Sequence, residues 1–245
     1  MLKGKRALVC GASAGIGRAI AIHLSQLGVE VWALARRTER LKSLHSYGIH
    51  SLVADLDDRE EAERRVREQL PFHILINNTA GPKSGALLET DEDEFIRAFG
   101  RHVLMSHRLV RLALPGMIEL NFGRIINIIS TSVYEPIPHL GVSNTIRGAM
   151  ASWAKSLSRE LPPCVTINNV LPGFTDTERL QSLQQTRADT MGVDAESVRE
   201  EWLKQVPLKR IAQPDEIARA VSLLLECSYV HGVSLAVDGG RLRSI

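Results

Sequence analysis

The sequence predicts a doubly wound α/β fold, a parallel sheet of about seven strands with helices on both faces. Short apolar runs rich in Val, Ile and Leu alternate from end to end with longer amphipathic segments, the order that builds repeated βα units. These runs are continuously apolar, as strands covered on both faces require. A glycine-rich turn follows the first run, at the junction where such sheets receive phosphate-bearing ligands. With 245 residues, 44% hydrophobic and 24% charged, the chain can bury a substantial core. Its βα order has no linker, repeat or low-complexity stretch, which argues for one domain over 1–245.

The first strand, Arg6–Cys10, leads into Gly11-Ala-Ser-Ala-Gly15-Ile-Gly17. The helix over Ile16–Leu27 then stops at Gly28, a residue suited to the left-handed conformation that ends helices. Val29–Ala35 is the second strand and ends on Arg36-Arg37. His50–Ala54 is the third, followed by Asp55, Leu56 and a charged helix over Arg59–Leu70 that stops before Pro71. Phe72–Asn77 is the fourth strand. The long helix Asp91–Leu114 opens on an acidic turn that suits the helix dipole and ends at Pro115. Arg124–Ile129, the second long helix Ser143–Leu161 and Val165–Val170 follow. The polar segment 177–206 interrupts the rhythm after the sixth strand. Ligands bind outside the carboxyl ends of such strands, so it reads as a substrate lid. Pro214–Glu226 places Pro and two acids in its first turn, and Val233–Val237 is the last strand.

Composition narrows the function. The net charge is +2 with basic residues dispersed, which calls for no nucleic acid and no anionic membrane. The most apolar run, Ile125–Ile129, is too short to span a bilayer. The N-terminus enters a strand without a leader-like apolar region, and the scattered Cys10, Cys164 and Cys227 suit reduced thiols. A cytoplasmic protein with a small-molecule partner and no metal is expected.

The glycine turn has the chemistry of a dinucleotide seat. Gly11 allows the tight turn, and Gly15 and Gly17 let backbone approach a pyrophosphate at the helix N-terminus. An NAD site wants an acid at the end of the second strand to hold ribose hydroxyls. This chain has Arg36 and Arg37 there, and a guanidinium pairs with a 2′-phosphate. NADP(H) is therefore favoured over NAD(H), with Arg36 the first choice and Arg37 the second.

These motifs, in order, resemble the short-chain dehydrogenase/reductase family. Gly11-x-x-x-Gly15-x-Gly17 has that family's spacing, and Asp55 matches its adenine-contacting acid. Asn77-Asn78-Thr79-Ala80-Gly81 resembles its Asn-Asn-Ala-Gly segment, Pro172-Gly173 with Thr177 its nicotinamide turn, and Val237-Asp238-Gly239-Gly240 its C-terminal signature. The resemblance implies a Rossmann-type fold that binds cofactor through Gly11, Ser13, Gly15, Ile16, Gly17, Asp55, Leu56, Asn78, Ala80, Pro172, Gly173, Thr175 and Thr177. It also implies a homotetramer or homodimer built through the two long helices, with the tail Arg241 to Ile245 sealing the assembly.

The chemical half departs from the pattern. The family uses a Ser, then a Tyr to protonate the substrate oxygen and a Lys four residues on to hold the ribose, with a supporting Asn. Ser130 takes the Ser position. Thirteen residues on stands Ser143 in place of Tyr, and four further stands Arg147 in place of Lys. Counting back from Arg159-Glu160-Leu161 gives the same register, and His102 falls on the Asn. Arg147 can hold a ribose, but a guanidinium is no proton shuttle. Ser143 is a poor acid and a good helix cap. His102, titrating near neutrality, is the better donor, with Tyr134 second. Two functions fit: an NADP(H)-dependent reductase of carbonyls, similar in overall sequence to 3-oxoacyl-thioester reductases, with altered acid–base groups; or an NADP(H)-binding protein that does little chemistry.

Overall fold

The computed structural model describes residues 2–244; Met1 and Ile245 lie outside the described residues. Seven parallel strands form one sheet in the order β3-β2-β1-β4-β5-β6-β7. They are β1 Arg6–Cys10, β2 Glu30–Ala35, β3 His50–Val53, β4 Ile74–Asn77, β5 Gly123–Ile128, β6 Val165–Pro172 and β7 Ser234–Val237. The order reverses between β1 and β4, whose registers pair Ala7 with Ile74 and Val9 with Ile76. Such a switch point leaves a crevice at the carboxyl edge, because the connections on either side leave in opposite directions.

The two-residue period of each strand sorts its side chains into two cores. Val9, Val31, Ile76, Ile126 and Val170 pack on one face beneath α1 (Gly15–Gln26) and α9 (Pro214–Glu226). Leu8, Leu34, Leu75, Ile125 and Ile167 pack on the other beneath α3 (Arg59–Arg67), α5 (Met105–Glu119) and α6 (Gly141–Leu157). A short α2 (Thr38–Lys42) follows β2, and α4 (Glu92–Phe99) runs through a π-helical turn at Gly100–Leu104 into α5. The polar segment forms α7 (Glu178–Met191) and α8 (Ala195–Gln205), joined by their own small core of Ala188, Val198 and Trp202.

Several boundaries differ from the sequence reading. The long helix does not stop at Pro115. It continues to Glu119 with Pro115 inside it, because proline forfeits one donor while the fully buried Met117 keeps the last turn on the sheet. Ser143 is not a cap: α6 begins two residues earlier, with Leu140 at the N-cap. The tail folds back on its own chain, Arg241 donating to Thr131 Oγ1 and the Arg243 N–H to Glu135 Oε1; Ile245, the end of the expected seal, lies outside the described residues. No helix among the described residues is long and apolar enough to cross a membrane.

Candidate active site

A cavity of about 1140 Å3 opens along the carboxyl edge of the sheet. Its walls are the segments that follow β1 to β6, completed by α7, α8 and Arg241.

At one end lies the glycine turn. Gly15 has φ +53°, and a Cβ there would stand 3.1 Å from the Thr177 methyl, so glycine is needed both for conformation and for approach. Asn78 holds the turn from below, its Nδ2 donating to the carbonyls of Cys10 at 3.2 Å and Gly11 at 3.4 Å. No side chain caps the N-terminus of α1 and its first turn holds no acid. Its N–H groups and dipole therefore offer an uncompensated positive end to the cavity. That arrangement fits a dinucleotide pyrophosphate.

Ser13, Ile16, Asp55, Leu56, Ala80, Pro172, Gly173, Thr175 and Thr177 all lie along this cavity; of these Ser13, Leu56, Pro172 and Thr175 are buried. Thr177 caps α7, accepting from the Leu180 N–H. Arg36 is exposed and faces Asp55 at 3.5 Å. Arg37 is held more closely: its Nε and Nη2 both donate to Ser13 Oγ, at 3.2 and 3.1 Å, and its Nη1 reaches Glu178 at 3.3 Å. The second-choice arginine is thus the one fastened to the glycine turn. Cys10 beside it is buried, its thiol pushed up to about 12 by desolvation.

At the other end lie Ser130, Ser143 and Arg147. Ser130 leaves β5 in extended conformation, and its hydroxyl accepts from the Ser132 N–H. Ser143 sits in the first turn of α6, and Arg147 one turn on, at 8% exposure. The guanidinium donates to the Ile128 carbonyl at 2.9 Å and toward that of Thr79 at 3.5 Å. Burial lowers it to about 10, with the charge of Arg179 adding to the effect, so it stays cationic at neutral pH.

The two expected proton donors are elsewhere. The π turn carries His102 beneath the cavity wall, 2% exposed, with Nδ1 2.5 Å from Thr79 Oγ1. Burial first, then the charges of Arg147 and Arg101, hold its pKa well below the usual imidazole range, so it is neutral. Tyr134 is half-exposed and its hydroxyl donates to the Ser234 carbonyl at 3.4 Å, outside the cavity lining. Neither side chain faces the place where a substrate oxygen could meet Ser130 and Arg147.

Sequence reasoning missed two sets of residues. One comprises Arg179 on the polar segment, Arg241 in the tail, and Phe174 in the turn after β6, stacked on Trp202 at 4.9 Å. Their signal was only their place after β6 and at the chain end. The other is a buried amide chain beneath the cavity, Asn77 to Asn127 to Asn169 to Ser234, with bonds of 2.8, 2.9 and 3.0 Å. Polar residues within apolar strands were its visible trace.

A family model described as enoyl-(acyl carrier protein) reductase matches residues 11–241. The 3-oxoacyl-(acyl-carrier-protein) reductase FabG of Pseudomonas aeruginosa is 32% identical over 259 aligned positions, spanning 99% of each chain. Among solved structures, an actinorhodin polyketide ketoreductase variant with NADPH superposes with TM-score 0.91 at 29% identity over 98% of both chains. The L-sorbose reductase of Gluconobacter frateurii, complexed with NADPH and L-sorbose, does so with TM-score 0.91 at 25% identity, over 100% of this chain and 98% of that one. With sheet order, glycine turn and full-length similarity in agreement, the chain belongs to the short-chain dehydrogenase/reductase family of oxidoreductases.

Proposed function

We propose that the protein is an NADP(H)-dependent oxidoreductase that reduces a carbonyl, or oxidises the matching alcohol, using Ser130, Ser143 and Arg147 without a tyrosine acid. One observation carries this reading: a single cavity joins the glycine turn and the arginines after β2 to those three side chains. Gly11, Ser13, Gly15, Ile16 and Gly17 would hold the pyrophosphate, and Arg37 with Arg36 the 2′-phosphate. Asp55 and Leu56 would border the adenine. Asn78, Ala80, Arg147, Pro172, Gly173, Thr175 and Thr177 would frame the nicotinamide end. The bound cofactor supplies the hydride. The fixed charge of Arg147, in a dehydrated setting, favours negative charge on the substrate oxygen. Ser130 and Ser143 orient that oxygen by hydrogen bonds, and the alkoxide left by hydride transfer takes its proton from water once the lid opens. The segment 177–206 acts as the lid that excludes bulk water. The name of the P. aeruginosa relative makes 3-oxoacyl thioesters the first substrates to test.

A second reading is favoured by the positions of His102 and Tyr134: with neither facing the cavity, the protein binds NADP(H) and turns over nothing. Two measurements decide. Fluorescence titration of the wild type gives NADPH about tenfold or more tighter than NADH. Arg37→Ala weakens NADPH about 10–100-fold, a loss of about 1.4–2.8 kcal/mol for a charge-assisted phosphate contact, and leaves NADH within about twofold. Equal binding of both nucleotides by the wild type overturns the cofactor assignment. NADPH oxidation with a panel of 3-oxoacyl thioesters and diketones, lost in Arg147→Ala, supports the reductase. Tight NADPH binding without turnover on any carbonyl supports the binding protein.

A further inference from the structure

The arginines around the cavity divide into two groups. Arg36, Arg37, Arg101 and Arg187 each face a carboxylate, on Asp55, Glu178, Asp57 and Glu201. Arg147, Arg179 and Arg241 also line the cavity, and among the described residues they meet only neutral groups. Arg147 is bonded to two carbonyls, Arg179 to the Pro82 carbonyl at 2.6 Å, and Arg241 to Thr131 Oγ1 at 3.3 Å. The Arg241 Nε is buried with no partner.

The unpaired three gather where chemistry would occur. A Cβ built on Gly81 would lie 3.8 Å from Arg179 Nη2 and 3.9 Å from Arg147 Nη2, so the two guanidiniums flank one backbone position. Arg241 is fastened to the residue after Ser130. Like charges at close range repel one another, and the buried Arg147 also lacks the solvation it gave up. Desolvation lowers Arg147 and Arg179 alike, and the charge of Arg179 lowers Arg147 further. An anion between them converts that repulsion into charge-assisted hydrogen bonds. Glu89, exposed at the rim, is the one acid lining the cavity without an arginine partner among the described residues. The adjoining wall is apolar: Phe174 on Trp202, with Leu183 beside them.

We propose that the substrate carries an anionic group, a carboxylate or phosphate, held by Arg147 and Arg179 with Arg241 beside them, and an apolar body against Phe174, Leu183 and Trp202. This rests on the assignment of this cavity as the substrate site. The pyrophosphate of a dinucleotide is the competing anion, although the uncapped end of α1 already offers it a seat.

Isothermal titration of the full chain, with and without NADPH, uses three probes: 2-oxooctanoate, its methyl ester and octyl phosphate. The acid is expected to bind about tenfold or more tighter than the ester. That gap closes in Arg179→Ala, an exposed side chain whose loss spares the core, and reopens in part in Arg179→Lys. NADPH affinity stays within about twofold in both variants. Octyl phosphate binding more tightly than the acid identifies the anion as a phosphate. Equal binding of acid and ester, or no binding of any probe, overturns the proposal. So does an Arg179→Ala loss of NADPH affinity as large as the loss for the acid, which assigns the guanidinium to the cofactor. Failure of the NADP(H) assignment looks different: NADPH fails to bind while the gap between acid and ester persists.

Discussion

Burial decides what His102 can do. An imidazole at 2% exposure, with the charges of Arg147 and Arg101 near it, is held neutral far below its ordinary titration range. Its folded pKa is depressed, whereas in the unfolded chain it titrates near 6.5. Below that pH the unfolded chain takes up a proton that the folded chain refuses, so stability falls as pH drops and is unaffected by this group above about 7. Denaturant unfolding at pH 7.0 and 5.5 is expected to show a loss that includes about 1 kcal/mol from His102. His23 and His73 are depressed too, so the comparison with His102→Asn isolates the term. An equal pH dependence in wild type and variant refutes it. Ser130, Ser143 and Arg147 line one cavity, and strand and helix signatures fix their register from both sides. It could not give the chemistry of His102, because that depends on a π turn that swings the ring under Thr79. Nor could spacing show that Tyr134 turns toward β7.

At the level of elements, the strands were legible because continuous apolar runs bounded by turn residues leave few alternatives. Their polar members carry a separate message. Asn77, Asn127 and Asn169 face one another across registered pairs of β4, β5 and β6, and their amides bond in series toward Ser234. Each amide N–H donates to the next side chain in line, so the chain of bonds stands or falls together. Asn127, fully buried at its centre, both accepts and donates. Asn127→Ala leaves the Asn77 amide and the Asn169 carbonyl unpaired in the core, and the expected cost is about 2–5 kcal/mol. Urea unfolding measures it; a loss under about 1 kcal/mol means water or a rearrangement replaces the bonds. Pro115 is the converse case, a local stop signal overruled by Met117 buried beneath the same helix.

For the molecule as a whole, the continuous helix of α4, the π turn and α5 has two jobs on opposite faces. Inward it carries His102 and, at the cavity wall, Arg101, which is paired with Asp57. Outward it exposes Ile96 at 68%, with Phe99 one turn on and Leu104 at the end of the π turn. Exposed apolar side chains clustered in this way mark a place for protein contact. The outer side of the adjacent α6 shows small residues, Thr145, Gly148 and Ser152, over which a second copy can approach closely. Self-association through these two helices is therefore the expected state. Light scattering after size exclusion at micromolar concentration is expected to give a dimer or tetramer of 27.1 kDa chains. Ile96→Asp with Phe99→Asp, which places two charges in the cluster, is expected to give monomer with an intact circular dichroism spectrum. A monomeric wild type refutes the surface assignment. Because the same helix walls the cavity, loosening its outer face should also slacken its inner one. The monomeric variant is expected to bind NADPH about 3–10-fold more weakly, about 0.7–1.4 kcal/mol. Unchanged affinity in a proven monomer would mean that the cavity is complete within one chain and that assembly serves stability alone.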